Sequence, residues 1–417
     1  MTLIPLARIC VLLILLVISP PATALCDEPW STRVPEGTLR IATFNCSLNR
    51  DAEGQLIRDL SNSDNQQARK VARILRIVRP NIVLLNEFDY DADQTALRSF
   101  QKNYLEVIAD WCPEPPLKFA DAWSGPVNTG VASGRDLDHD GKTNGPGDAI
   151  GFGKYPGQYG MAVLSAYPID RTNIRTFQNV LWKDLPGALL PPAIEAAKAD
   201  PKATGGWYND EDLGLLRLSS KSHWDIPVNL SGLTLHLLTS HPTPPAFDGP
   251  EDRNGRRNHD EIRLWAEYLR SQPAEWLKDD AGKSTPFDSA ASFVILGDQN
   301  ADPLDGGSVP GAIQLLLNHP RVNSSVIPVS PGGAETSAQQ KQTNLQHKGD
   351  ASHDTSDFND RSVGNLRVDY VLPSKDLSIK SAFVFWPPTS DDRHSLIDCS
   401  DHRLVWIDVI SPETAKK

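Results

Sequence analysis

No stretch of this chain is long and apolar enough to span a bilayer. The apolar run from Val11 to Ser19 falls well short of the roughly 20 residues that a crossing helix needs. Nor is there a stripe of Lys and Arg interleaved with aromatics. The 41 basic residues are outnumbered by 53 acidic ones, for a net charge of −12. Strong adherence to a nucleic acid is therefore not expected, because contacts to backbone phosphates need a basic surface. A nuclease is still allowed, since a divalent metal supplies local positive charge to an acidic protein. Cysteine is scarce, with five residues in 417, and there is no tandem repeat that would build a solenoid.

The chain opens with a leader. Arg8 precedes the apolar run, Pro20-Pro21 end it, and Ala22-Thr23-Ala24 form a small-x-small cleavage pattern. This reads as a secretory signal removed near Ala24 rather than a retained anchor, so a secreted or periplasmic location is expected. Cys26 follows, but Leu25 stands before it where a lipoprotein has a small residue, so lipidation is discounted. Beyond the leader remain Cys26, Cys46, Cys112 and Cys399. An exported protein can oxidise these into two disulfides, in three pairings that sequence does not rank. The alternative is buried free thiols, above all for Cys46 beside a strand end.

Hydrophobic periodicity places the elements. A strand from Leu39 to Phe44 is followed by a helix whose Val71, Ile74, Leu75 and Val78 share one face, ended by Pro80. The buried run Ile82 to Leu85 comes next, and it delivers Glu87 to the end of a strand that corresponds to the end carrying Asn45. Strand-like runs recur at Met161 to Ser165, Leu233 to Ser240, Phe293 to Leu296, Val368 to Leu372 and Leu404 to Val409. A second amphipathic helix, about Arg257 to Arg270, sets Ile262, Trp265, Ala266 and Leu269 on one face. The alternation predicts a layered α/β protein. Residues 113–158, 183–212 and 329–362 read as insertions, each long for a loop and so either functional or mobile.

Short polar motifs stand at the ends of these runs: Thr43-Phe44-Asn45, Asn86-Glu87, Ser240-His241, Gly297-Asp298-Gln299-Asn300, Arg367-Val368-Asp369-Tyr370 and, just before the terminal strand, Ser400-Asp401-His402. Each alone makes an ordinary turn or cap. Together and in this order they resemble the endonuclease/exonuclease/phosphatase superfamily, which includes deoxyribonuclease I, abasic-site endonucleases, bacterial sphingomyelinases and inositol-polyphosphate 5-phosphatases. The resemblance covers about residues 37–411 and implies a four-layer α/β/β/α sandwich, deoxyribonuclease I-like, with loop insertions. It also implies metal-assisted hydrolysis of a phosphoester. Such chemistry needs a cation on the phosphate, an activated water and a stabilised leaving oxygen.

The resemblance assigns a metal site to Glu87 and Asn45, with Asp401 as a nearby second carboxylate. Magnesium or manganese suits this sparse oxygen set, since magnesium keeps several waters. It makes His402 and Asp369 an oriented base pair or, in another scheme, the phosphate contact. Asp298 would orient or deprotonate water, Asn300 would donate to a phosphoryl oxygen, and His241 would assist the leaving oxygen or the phosphate. His241 follows deoxyribonuclease I and the sphingomyelinases and is absent from abasic-site endonucleases. That inclines the expected substrate slightly towards a nucleic acid, with a lipid or small phosphoester as the alternative. A non-catalytic secreted binding protein is the reading of another class, disfavoured because Glu87, Asp298 and His402 are all present. No stable protein partner is implied.

Two further features remain open. Asp136-Leu137-Asp138-His139-Asp140-Gly141 spaces Asp136, Asp138 and Asp140 as calcium loops do, although Gly147 stands where an EF-hand has its bidentate Glu and Asp148 comes one residue late. It is either a structural calcium loop or an Asx-rich solvated one. Lys221 and His223 either form a substrate rim or belong to a hairpin edge with Trp224 packed. Arg253 either attracts an anionic substrate or starts a solvated helix.

Overall fold

The computed structural model describes residues 34–270, 272 and 274–410; the leader, its cleavage site at Ala24 and Cys26 lie outside the described residues. In chain order the strands are β1 (Leu39–Leu48), β2 (Ile82–Phe88), β3 (Asp121–Trp123), β4 (Met161–Ser165), β5 (Arg175–Thr176), β6 (His223–Leu230), β7 (Leu233–Ser240), β8 (Ser292–Asp298), β9 (Ser356–Asp357), β10 (Asn365–Leu366), β11 (Asp369–Pro373), β12 (Ser378–Val384) and β13 (Val405–Ile410). They form a six-stranded sheet, β12-β13-β1-β2-β4-β3, a five-stranded sheet, β11-β8-β7-β6-β5, and the small pair β10-β9. Each large sheet contains one parallel pair, β1 with β2 and β7 with β8, between antiparallel neighbours.

Strand alternation makes the layers. In β8, Val294 and Leu296 face the core shared with the first sheet, whereas Phe293 and Ile295 face a second core under the helix Arg253–Tyr268. In β11, Val371 points to the first core and Tyr370 and Leu372 to the second. A period of two sends neighbours to opposite faces, so a strand buried on both sides reads as a continuous apolar run. The helix Gln66–Val78 covers the outer face of the first sheet with Val71, Ile74, Leu75 and Val78. Asn65 caps its start by accepting from Ala68 N (3.0 Å), and Arg79 ends it in the left-handed region just before Pro80. Helix, sheet, sheet and helix are therefore stacked as the resemblance implied. Deleting a fully buried anchor such as Trp265 is worth about 3–5 kcal/mol in a core of this kind.

Several expectations are corrected. β1 and β2 run on to Leu48 and Phe88, so Asn45 and Glu87 lie within strands rather than after them. The second amphipathic helix starts at Arg253, which puts Arg253, Arg256 and Arg257 inside it. Cys46, Cys112 and Cys399 are buried free thiols, so two disulfides do not form. The tract 329–362 contains the helix Pro331–Gln340 and packs closely: a Cβ on Gly332 would meet the Trp386 carbonyl oxygen at 2.3 Å. Among the described residues, no helix is long and apolar enough to cross a membrane.

Candidate active site

The parallel pair β1 and β2 sets Asn45 opposite Asn86, one residue before Glu87. Across the sandwich, antiparallel pairing sets Asp298 opposite Asp369. Two devices bring the sheets together here. Asn86 Oδ1 lies 3.3 Å from both Thr43 Oγ1 and Asp298 N, so one amide links the two sheets. Gly297, at φ 137°, lets the backbone approach β7 so closely that a Cβ would sit 2.0 Å from the Ser240 carbonyl oxygen.

Asp298 is the hub. Its Oδ1 accepts from Asn300 N (2.8 Å), while its Oδ2 lies 3.1 Å from Asn45 Nδ2, 3.3 Å from Asn300 Nδ2, 3.3 Å from His241 Nε2 and 3.6 Å from His402 Nε2. Asn45 Nδ2 also reaches Glu87 Oε1 (3.1 Å), and Asn49 Nδ2 donates to Glu87 Oε2 (2.7 Å). His402 Nδ1 is 2.9 Å from Asp369 Oδ2. Asn45, Glu87, His241, Asp298, Asn300, Asp369 and His402 are thus gathered at one end of the sandwich. Asp401 stands on the exposed side of this end, where its Oδ1 accepts from Ser47 Oγ (3.4 Å). Glu87 and Asn300 have positive φ, 56° and 51°, a conformation that non-glycine residues seldom adopt and that concentrates at functional sites.

Burial raises the Asp298 pKa, but His402 and His241 outweigh it and hold the carboxyl well below the usual range. For His402, burial lowers the pKa, but Asp369 and Asp298 on either side of the ring push it up to about 10. His241 is lowered by burial and by Lys221, and its Nδ1 is a buried atom without a partner.

The donor set fits a hard divalent cation. Glu87 and Asn45 offer oxygens, and the hydrogen-bond partners of the Glu87 carboxylate among the described residues are neutral side-chain amides. Asp369 Oδ1 is buried without a partner, and ligand atoms of Asp298, Asp369 and His402 lie within 4.8 Å of one another. Oxygen-rich, uncompensated carboxylates are what magnesium-like ions require.

The insertions supply residues that the motifs did not reveal. Thr355, in the 329–362 tract, donates to Asp369 Oδ2 (2.8 Å), and its Oγ1 accepts from Val368 N and Asp369 N. Phe358 meets the His402 ring edge-on at 5.3 Å. Asn49 is the other omission. Nothing in the sequence marks Thr355 except its place inside an insertion near the Arg-x-Asp-Tyr strand.

Of the proposed substrate contacts, one faces the cluster. Lys221 is buried and, among the described residues, has neither an ion pair nor a side-chain hydrogen bond. Burial lowers its pKa, while Glu261, Glu87 and Asp298 act to raise it. His223 does not form a rim: it is buried between Ser219 Oγ (2.6 Å) and the Glu261 carbonyl oxygen (2.9 Å), and burial pushes its pKa down to about 4. Trp224 is indeed packed, edge-on to Trp123, but β6 lies inside its sheet rather than at the edge. Arg253 pairs with Glu251 and lies over Trp207. The acidic loop differs from the spacing that suggested it. Asp136 and Asp138 converge with Asp148, whereas Asp140 pairs with Lys142.

A model of the Endonuclease/Exonuclease/phosphatase family matches residues 42–402, from the residue before Thr43 to His402. The chain belongs to that family. Its members hydrolyse phosphoester bonds, generally with a divalent metal, and this chain is an enzyme of that kind. Solved structures of similar shape include an endonuclease/exonuclease/phosphatase from Beutenbergia cavernae DSM 12333, 17% identical, covering 90% of this chain and 72% of that one, with a TM-score of 0.44. Sphingomyelinase C from Streptomyces griseocarneus is 13% identical, covering 89% of this chain and 99% of its own, at a TM-score of 0.44. The human Nocturnin catalytic domain is 13% identical, covering 91% and 99%, at 0.43. No curated protein sequence matches the chain.

Proposed function

We propose that the chain is an exported phosphodiesterase that depends on magnesium or a similar divalent ion, working after removal of its leader near Ala24 as one domain spanning about residues 37–411. The observation that carries this reading is the convergence of Asn45, Glu87, His241, Asp298 and His402 on one carboxylate hub at the open end of the sandwich.

Glu87 and Asn45, with Asp401 at the rim, would hold the ion, which supplies positive charge against the phosphate oxygens. The remaining work falls to the chain itself. The His402 ring has a carboxylate at each nitrogen, so it is held as a cation that donates to a phosphoryl oxygen. Asp369, itself held by Thr355, fixes that orientation. Asp298, kept ionised by its two imidazoles, orients the attacking water by accepting a hydrogen bond from it. Asn300 adds an amide donor beside Asp298, and His241 faces the same oxygen from the other side, placed to assist the leaving oxygen. Lys221 contributes one further cation to the phosphate, in a position where burial keeps that charge from being screened.

A small or lipid phosphodiester fits this site better than a polynucleotide. Of the three side chains weighed for substrate contact, only Lys221 faces the cluster, and a polyanion needs several. A nucleic acid is the second reading, and His241 is the observation that favours it. The deciding experiment sets purified mature protein against plasmid DNA, RNA, sphingomyelin and chromogenic phosphodiesters, with and without chelator. Absence of any chelator-sensitive hydrolysis across the set would overturn the reading.

A further inference from the structure

We propose that Glu261 is a positioning residue for the hydrolysis, keeping the segments that carry His241 and Lys221 at the cluster through two backbone hydrogen bonds; this rests on the phosphodiesterase reading above and the roles it gives those two residues. Glu261 stands within the helix Arg253–Tyr268 and is fully buried. Its Oε1 accepts from Ser220 N and its Oε2 from Thr243 N, both at 2.6 Å. Ser220 precedes Lys221, and Thr243 lies two residues after His241. One carboxylate thus ties together the segment that enters the β6–β7 hairpin and the segment that leaves it. Burial lowers the Lys221 pKa, and Glu261 heads the carboxylates that oppose this, so the same group also favours the ammonium.

Its neighbours on the helix complete the clamp. Asn258 lies one turn earlier, and residues three apart share a helix face. Its Nδ2 donates to the Thr243 and Gln299 carbonyl oxygens, both at 2.9 Å, so it holds the other backbone group of Thr243 and reaches the residue before Asn300. Arg257 donates to the Leu218 (3.0 Å) and Arg217 (2.7 Å) carbonyl oxygens, just ahead of Ser220. The segments that carry Lys221, His241 and Asn300 are therefore tied to one helix. Little else holds the imidazole: His241 Nε2 meets Asp298, whereas His241 Nδ1, Ser220 Oγ and Thr243 Oγ1 are buried without partners. The place of the ring is thus set by its backbone. Among the described residues Glu261 makes no ion pair, and a carboxylate buried in that way is costly. An apolar residue would dock the helix at less cost, but only a side chain with two acceptor oxygens can take both N–H groups.

The test measures kcat and KM on bis-p-nitrophenyl phosphate and diphenyl phosphate, using the whole mature protein and magnesium. Phenolate leaves less readily than p-nitrophenolate, so misplacing a group that assists the leaving oxygen costs more on diphenyl phosphate. Glu261→Ala is expected to lower kcat on that ester by about tenfold more than on the nitrophenyl ester, and to raise KM severalfold on both, as His241 and Lys221 shift. Glu261→Gln keeps one acceptor oxygen and should recover part of the loss. His241→Ala should show the same leaving-group bias, and combining it with Glu261→Ala should not enlarge that bias, because both act through one imidazole. Asn258→Ala frees the Thr243 carbonyl while leaving Glu261 in place, so it should give the bias without the rise in KM and keeps the clamp testable if Glu261→Ala does not fold. Equal losses on the two esters, unaltered kinetics in a folded variant, or biases that multiply in the double variant would overturn the assignment. Failure of the parent to hydrolyse either ester is a different result, and it would overturn the phosphodiesterase reading instead.

Discussion

Two acidic clusters in this molecule could each attract a cation, and they are built in opposite ways. Asp136, Asp138 and Asp148 come from one loop, whereas the cluster around Asp298 draws on β1, β2, β8, β11 and the turns before β13 and after β7. The loop carboxylates are occupied with their own backbone: Asp148 accepts from Leu137 N (3.0 Å) and Gly145 N (2.8 Å), and Asp136 from Asp140 N and Gly141 N. The Asp298 cluster meets imidazoles and amides from distant strands, and it leaves Asp369 Oδ1 and His241 Nδ1 unpartnered in the interior. Local spacing produces a turn at little cost. Unpartnered polar atoms held in a dry core by distant strands cost stability, and such costs mark sites of function.

The strongest way to break this contrast is Glu87→Gln. Its charge should be dispensable to folding, because amides rather than cations meet the carboxylate, yet turnover should fall by about 10³-fold. Excess metal should restore part of that loss. Full turnover in chelator with an unchanged circular dichroism spectrum would remove the metal site from this end of the sandwich. Next in size, His402→Ala should cost about 10²-fold in kcat on a confirmed phosphodiester. Thr355→Val should cost roughly tenfold, since Asp369 loses one of its two partners. Thr355→Ser restores the hydroxyl and should restore the rate; if it does not, Thr355 is only a packing residue.

Legibility followed the same division. Asn45, Glu87, His241, Asp298 and His402 could be read because each stands at one end of an apolar run whose period sets its place, His402 before its strand and the others towards the end of theirs, and because their order along the chain carries a resemblance. Periodicity carried only a layered α/β protein; the two-sheet stack came from the resemblance, and the burial of β8 on both faces agrees with it. Thr355 and Asn49 could not be read, because they lie in irregular segments where no periodicity fixes which way a side chain points. For His223, left open between a substrate rim and a packed hairpin, the same physics decides. It is the first residue of β6, and the pleat turns it inward under Trp265 rather than to a rim. The acidic loop misled differently: the spacing singled out Asp140, but the fold-back of Gly145 brings Asp148 into its place.

Lys221 tests whether the costly cluster extends to substrate cations. A buried ammonium without an ion pair destabilises the protein, so Lys221→Met should raise stability by about 1 kcal/mol in urea unfolding. The same change should lower kcat/KM severalfold, through KM more than kcat, because a contact made to ground-state phosphate is lost. Greater stability with unaltered kinetics would make Lys221 an expensive bystander.

The smallest effect on the rate belongs to the loop. Asp148→Ala removes the acceptor for Leu137 N and Gly145 N, at a cost of about 1–2 kcal/mol. The melting temperature should fall by a few degrees whether or not calcium is added. kcat should be unchanged, because the loop shares no hydrogen bond with Asp298, Glu87 or His402 among the described residues. The informative measurement is the melting temperature of parent and variant across a calcium titration. A calcium-dependent rise in the parent that disappears in Asp148→Ala would mean that backbone-satisfied carboxylates from one short loop can still recruit an ion. The contrast would then narrow to what the two ions do, stability in the loop and chemistry at the strand ends. A flat response in both proteins leaves the loop as a set of Asx turns, whose carboxylates are already occupied by the backbone they fold.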